Sequence, residues 1–147
     1  MKTILLFALL GAAAFAADTK VKLESLPPAV QAAVKQQTKN ATLVGLSTEK
    51  EKGKTTYEVE TTVNGKSRDL VLDKSGAVLE TEDEVELNTI PAAAQAALQK
   101  RAGTGTITKV EKLTAGSSVS YEAAIKTRTG KTIEAAVNAD GTAHKED

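Results

Sequence analysis

One nine-residue pattern is written twice in this chain. Leu26-Pro27-Pro28-Ala29-Val30-Gln31-Ala32-Ala33-Val34 and Ile90-Pro91-Ala92-Ala93-Ala94-Gln95-Ala96-Ala97-Leu98 align at an offset of 64. The register persists downstream. Tyr57-Glu58 falls on Tyr121-Glu122 at 64, while Gly65-Lys66 and Gly76 fall on Gly130-Lys131 and Gly141 at 65, so one residue is inserted between Glu122 and Gly130. Four landmarks in register are the signature of a duplicated structural unit. The repeat divides the mature chain into residues 20–86 and 87–147, behind a leader at 1–16.

The leader reads as an address. Lys2 precedes an apolar run from Ile4 to Phe15, and Ala14 and Ala16 supply the small residues of an A-x-A site, which is the layout of a secretory signal peptide. Cleavage is expected after Ala16, leaving a secreted or periplasmic protein with no membrane attachment, since the run falls short of the roughly 20 residues a spanning helix needs. Cleavage also removes Phe7 and Phe15, so Tyr57 and Tyr121 are the only aromatics left and the core must be aliphatic.

Within each copy the hydrophobic period changes once. Pro27, Pro28 and Pro91 suit a helix entrance, where a missing N–H costs nothing, and Val30, Ala33 and Val34 then share a stripe at helical spacing, as do Ala94, Ala97 and Leu98. A helix of about three turns is predicted in each copy, closed by Gly103 and Gly105 in the second and by Asn40 in the first. Everything after it alternates. Tyr57, Val59, Thr61 and Val63 oppose Glu58, Glu60 and Thr62; Val119, Tyr121, Ala123 and Ile125 oppose Ser120, Glu122 and Lys126. Flanking strands are predicted at 42–50, 68–73, 77–85, 106–113 and 132–137, with a short one after Gly141. Asn64-Gly65 is a strong hairpin signal between two of them. The fold class is therefore α+β: two tandem repeats, each one helix packed on a three- to four-stranded antiparallel sheet. Copies this small are marginal alone, so they are expected to pack on one another.

Composition removes most chemistry. There is no Cys and a single His, His144, so thiol nucleophiles, Cys-ligated zinc and His pairs are excluded, and no G-x-S-x-G elbow occurs. No catalytic residue, cofactor or metal ligand is expected, and the protein is read as a non-enzyme. Nineteen basic against 19 acidic side chains argue against nucleic acid as a partner. Asp73, Ser75, Gly76 and Glu82, and again Asn138, Asp140, Gly141 and Asp147, imitate part of a calcium loop, but Val71 and Ala136 stand where a first ligand is needed. Hairpin turns are predicted there instead. Glu80 to Glu86 holds five acids in seven residues and reads as a solvated edge strand or linker.

The signal peptide and two copies of Leu/Ile-Pro-x-Ala-x-Gln-Ala-Ala, each followed by a Tyr-Glu strand, a Gly-Lys turn and an Asp/Asn-x-x-Gly turn, resemble the PepSY-like, or β-lactamase-inhibitor-like, family of exported bacterial proteins. The resemblance runs from about Leu23 to His144 and implies a helix-on-sheet fold that binds or inhibits an extracytoplasmic protein such as a protease. It transfers no catalytic residue. The second copy departs from the pattern at Ala123, Ala124 and Asn138, which implies shape without binding there.

With each helix covering the Tyr57 or Tyr121 face, two polar rows are left for a protein partner: Glu58, Glu60 and Thr62, and Ser120, Glu122 and Lys126. Reversing Glu58 and Glu60 to Lys is expected to change folding by less than about 1 kcal/mol, as surface substitutions do. The competing readings are a structural envelope-associated protein without a specific partner and a small-ligand carrier.

Overall fold

The structure, a computed structural model, describes residues 19–51 and 53–144. The leader and its cleavage site lie outside them. Strand β1 (Thr19–Lys20) and a 3-10 turn at Leu23–Ser25 lead into helix α1 (Pro28–Gln37). Strands β2 (Thr42–Glu51), β3 (Lys54–Val63), β4 (Lys66–Leu72) and β5 (Val78–Glu84) follow. A second 3-10 turn at Leu87–Thr89 then precedes helix α2 (Ala92–Ala102) and strands β6 (Thr106–Ala115), β7 (Ser118–Lys126) and β8 (Thr132–Asn138).

All eight strands lie in one sheet, in the order β1-β2-β3-β4-β5-β6-β7-β8. The expected architecture of two tandem repeats, each a helix on its own small sheet, is therefore corrected: the described residues form a single antiparallel sheet, mostly strand, with two α-helices among them. Backbone chemistry supplies the reason. Two separate sheets would leave extra edges with unpaired N–H and C=O groups. Here Val85, just past β5, donates its N–H to the Val110 carbonyl of β6 at 2.9 Å. The acidic run at Glu80–Glu86 is corrected with it, because β5 is an interior strand of this sheet and not a solvated edge or linker. The short strand expected after Gly141 is reduced to one bridge, Val137 to Ala143.

The described residues gather into two compact units, one of residues 19–84 with 112–119 and one of 85–111 with 120–144. In the first, Leu26, Val30 and Val34 pack against Leu46, Val59, Leu70 and Leu72, with Tyr57 at the margin. In the second, Ile90, Ala94 and Leu98 pack against Val110, Tyr121, Ala123, Ile125 and Val137. Both helices start alike. Pro27 and Pro91 sit at the N-cap, and their carbonyls accept the Gln31 and Gln95 N–H groups at 2.9 Å each. Gly103 closes α2 with φ 54°. The cap of α1 is Thr38 rather than Asn40: its N–H reaches the Val34 carbonyl at 3.0 Å and its hydroxyl the same oxygen at 2.8 Å.

The turns match their chemistry. Asn64 and Gly65 both have positive φ, 52° and 82°, as a two-residue hairpin of the favoured twist requires. The segments that imitate calcium loops are hairpin turns. Asp73 Oδ1 accepts hydrogen bonds from the Ser75 N–H (2.7 Å), the Ser75 hydroxyl (2.5 Å) and the Ala77 N–H (3.1 Å). Asp140 Oδ1 likewise accepts from the Thr142 N–H (2.9 Å) and hydroxyl (2.6 Å). Gly76 and Gly141, with φ 81° and 82°, press these turns onto the helices: a Cβ there would lie 2.6 Å from the Ala29 carbonyl oxygen and 2.7 Å from that of Ala93.

The Ser75 hydroxyl foremost, with three backbone N–H groups, holds the Asp73 carboxyl below its ordinary value of 3.8, and the Thr142 hydroxyl does the same for Asp140. A carboxyl whose pKa is lower in the folded than in the unfolded chain adds stability that is complete above the unfolded value and disappears as pH falls through the folded one. Asp73→Ala is thus expected to flatten the acid limb of the stability profile below about pH 4. Urea midpoints at pH 7 and pH 3 check it: the gap between wild type and variant should be smaller at pH 3.

Candidate functional site

The register of the first unit places its polar row. Glu58 faces Ser47 on one side and Val71 on the other, with Glu80 next in line; Glu60 faces Asp69, which faces Glu82; and Thr62 faces Ser67. Directly opposed residues share a face, so Glu58, Glu60, Asp69, Glu80 and Glu82 stand together. This face is turned away from α1, whose apolar stripe meets the Val59 side of β3. Glu84 joins the group, its Oε2 accepting the Ser67 N–H at 3.0 Å and hydroxyl at 3.2 Å. Across β3, β4 and β5 every charged member of these rows is acidic, and Lys20 of β1, opposite Ser47, ends the Glu58 row with a basic group.

The predicted residues are not uniformly exposed. Glu58 is only 7% exposed and Ser120 only 4%. Glu60, Thr62 and Glu122 are half-buried, and Lys126 is exposed. The Ser47 hydroxyl donates to Glu58 Oε2 at 3.0 Å, and a Cβ on Gly45 would lie 3.0 Å from the Glu60 carboxylate, so the glycine makes room for that acid. The expectation that reversing Glu58 is a surface change is corrected accordingly. An ammonium would enter a buried place fitted to a carboxylate, which is expected to cost more than 1 kcal/mol.

Sequence reasoning misses Asp69, and it singles out Glu80, Glu82 and Glu84 only as part of an acidic run that could offer a negative surface to a basic partner but reads as a solvated edge or linker. Asp69 is 4% exposed and takes the Thr61 N–H on Oδ1 at 3.1 Å, and Glu82 is 9% exposed. A signal was available, because Glu80, Glu82 and Glu84 recur at a period of two, which puts all three on one face of a strand. The second unit differs in character. Glu122 faces Ala136, Ala124 faces Glu134, Ser120 faces Asn138 and Lys126 faces Thr132. Lys109 pairs with Glu111 at 2.5 Å. Burial pushes the Glu134 carboxyl up, with a smaller contribution from Glu111. The two predicted rows therefore differ: an acidic one in the first unit, a mixed one in the second.

A cavity of about 700 Å³ opens beside Tyr57 in the first unit, lined among others by Thr19, Ser25, Leu26, Thr48 and Thr55. Tyr57 borders it while also packing against the core beneath α1, and Tyr121 is buried in the second core.

The fold, helices with an antiparallel meander, is one this chain shares with a set of solved structures. Among them are a protein of Bacteroides eggerthii described as periplasmic, a DUF2874 family protein of Bacteroides uniformis and a BLIP-like protein of Bacteroides fragilis. The first matches at TM-score 0.64 and 15% identity, over 82% of this chain and 86% of its own. The second matches at TM-score 0.62 and 15% identity, over 81% and 86%. The third matches at TM-score 0.55 and 23% identity, over 83% and 86%. The fold is thus that of the BLIP-like and DUF2874 proteins. No family model matches the chain, and no curated protein matches it. The PepSY part of the resemblance rests on the sequence motifs alone. No helix among the described residues is long and apolar enough to cross a membrane.

Proposed function

We propose that this chain is an exported, non-enzymatic protein-binding module of the periplasm, a regulator or inhibitor that meets a basic surface of its partner. The observation that carries this reading is the acidic face of the first unit, where Glu60, Glu80 and Glu84 are half-buried around the buried carboxylates of Glu58, Asp69 and Glu82. A sheet face of one sign attracts a partner of the other, speeding encounter and rejecting like-charged competitors. Export is supported by the Lys2–Ala16 layout and by the periplasmic description of the Bacteroides eggerthii protein.

The test is affinity capture from an extracytoplasmic extract of the organism that makes the protein, comparing wild type with Glu60→Lys/Glu80→Lys and with Glu122→Lys. The double reversal is expected to weaken retention of the captured protein at least about tenfold while far-UV circular dichroism stays unchanged, because close charge pairs at interfaces couple by more than 1.4 kcal/mol. Glu122→Lys should leave retention intact. Identical capture by all three would remove the face from consideration and favour an envelope protein without a specific partner.

A further inference from the structure

The two units treat equivalent strand edges differently. In the first, the chain leaves β4, turns through Asp73–Gly76 and returns along the outer side of β4 as β5, with Leu70 facing Thr81, Asp69 facing Glu82 and Arg68 facing Asp83. In the second, the chain leaves β8 by the same turn. The Asn138 N–H meets the Thr142 carbonyl at 2.9 Å, as the Asp73 N–H meets the Ala77 carbonyl at 3.0 Å. The return then follows β8 through Ala143, which bridges to Val137, and His144, whose N–H meets the Ala136 carbonyl at 3.2 Å. Among the described residues, nothing pairs with the outer side of β8 at Thr132–Ala135, the counterpart of the β4 stretch that β5 covers.

The open groups can be named. Asn138 and Ala136 turn their backbone polar groups outward, to Thr142 and His144. Alternation along an antiparallel strand then directs the N–H and C=O of Glu134 and Thr132 to the same side. The side chains specify what would fit. Ile133 and Ala135 face Ile125 and Ala123 of the second core, and Ile133 is still 47% exposed at its end of the strand. Glu134 is on the opposite face, half-buried, with Glu111 and Lys109 near it.

We propose that the open edge of β8, Thr132–Ala135, receives an extended segment of a partner protein as an antiparallel strand, with apolar side chains opposite Ile133 and Ala135 and a basic one opposite Glu134. Main-chain hydrogen bonds hold such a strand and the alternating side chains select it. A second copy is the poorer occupant in the register centred on Glu134, because that register sets two carboxylates side by side. This site is separate from the acidic face of the first unit, and the two stand or fall independently.

The probe is the blocked pentapeptide Thr-Val-Lys-Val-Thr, with Thr-Val-Glu-Val-Thr as its control. Amide hydrogen exchange is read by NMR on the full chain and on a chain ending at His144. The lysine peptide is expected to slow exchange at Thr132 and Glu134 roughly tenfold near saturation, since only those amides gain partners. It should bind about fivefold tighter than the glutamate peptide. Glu134→Lys should invert that preference, and Glu134→Gln, which keeps the shape, should abolish it without abolishing protection. Absence of protection at these two amides, or equal binding of both peptides, would overturn the proposal. Protection by peptide in the shortened chain alone would assign the edge to the chain's own C-terminal residues, and protection without peptide that rises with protein concentration would assign it to a second copy; either result overturns a partner strand.

Discussion

Gly76→Ala and Gly141→Ala are each expected to lower stability by about 2–4 kcal/mol, a loss that combines two separate penalties. The backbone at both positions is left-handed, φ 81° and 82°, where a Cβ costs roughly 1–2 kcal/mol. The new methyl would also stand 2.6 Å from the Ala29 carbonyl oxygen in one case and 2.7 Å from that of Ala93 in the other, with Ala33 and Ala97 close behind. Those are helix backbone atoms, which cannot swing aside as a flexible side chain can. Gly116→Ala separates the two effects, since its φ is 58° and nothing lies within 4 Å of its would-be Cβ. It should cost only the conformational part. Urea unfolding with an unchanged m-value measures all three. Equal losses at Gly76 and Gly116 would mean that the turn does not press on α1.

The other large effect is expected in the second core. Leu98 is fully buried, on the stripe where α2 meets Val110, Tyr121, Ala123, Ile125 and Val137. Small neighbours such as Ala94 and Ala123 cannot swing in to fill the space that Leu98→Ala would leave, so a loss of about 3–5 kcal/mol is expected, toward the upper part of the range for such truncations. Leu43→Ala, at a position 39% exposed, should change stability by less than about 0.5 kcal/mol. Thermal and urea midpoints of the two variants give the contrast directly, and comparable shifts would show that α2 does not seal this core.

Local chemistry was legible in the sequence and long-range pairing was not. Proline at the helix entrances, Gly103 at a helix exit and Asn64-Gly65 in a hairpin each act through one or two dihedral angles, so the residue names the geometry. The strand edges do not announce themselves in that way. Whether β5 ends a small sheet or continues into a larger one depends on backbone groups that every residue carries alike, and the repeat suggested two closed copies where the ladder passes through β5. Charge misled in the same region. Five acids in seven residues suggest solvent, yet the period of two sorts Glu80, Glu82 and Glu84 onto one face beside Asp69, leaving Thr81 and Asp83 on the other. The burial of Glu58 was likewise hidden, because it depends on neighbours brought in by β2 and β4 and on the Ser47 hydroxyl 11 residues upstream.

The strand order of the sheet is also the order of the chain, and this bears on how the fold is reached. β2 with β3 and β3 with β4 are joined by two residues, β4 with β5 and β7 with β8 by five. Loop closure of that length removes little chain entropy, so each hairpin can zip from its turn before any distant segment has been found. Strands joined in this way make local contacts, so much of the search for the topology is replaced by a series of local steps. The longer closures, through α1 between β1 and β2 and through α2 between β5 and β6, span 21 residues each and are expected to follow the hairpins.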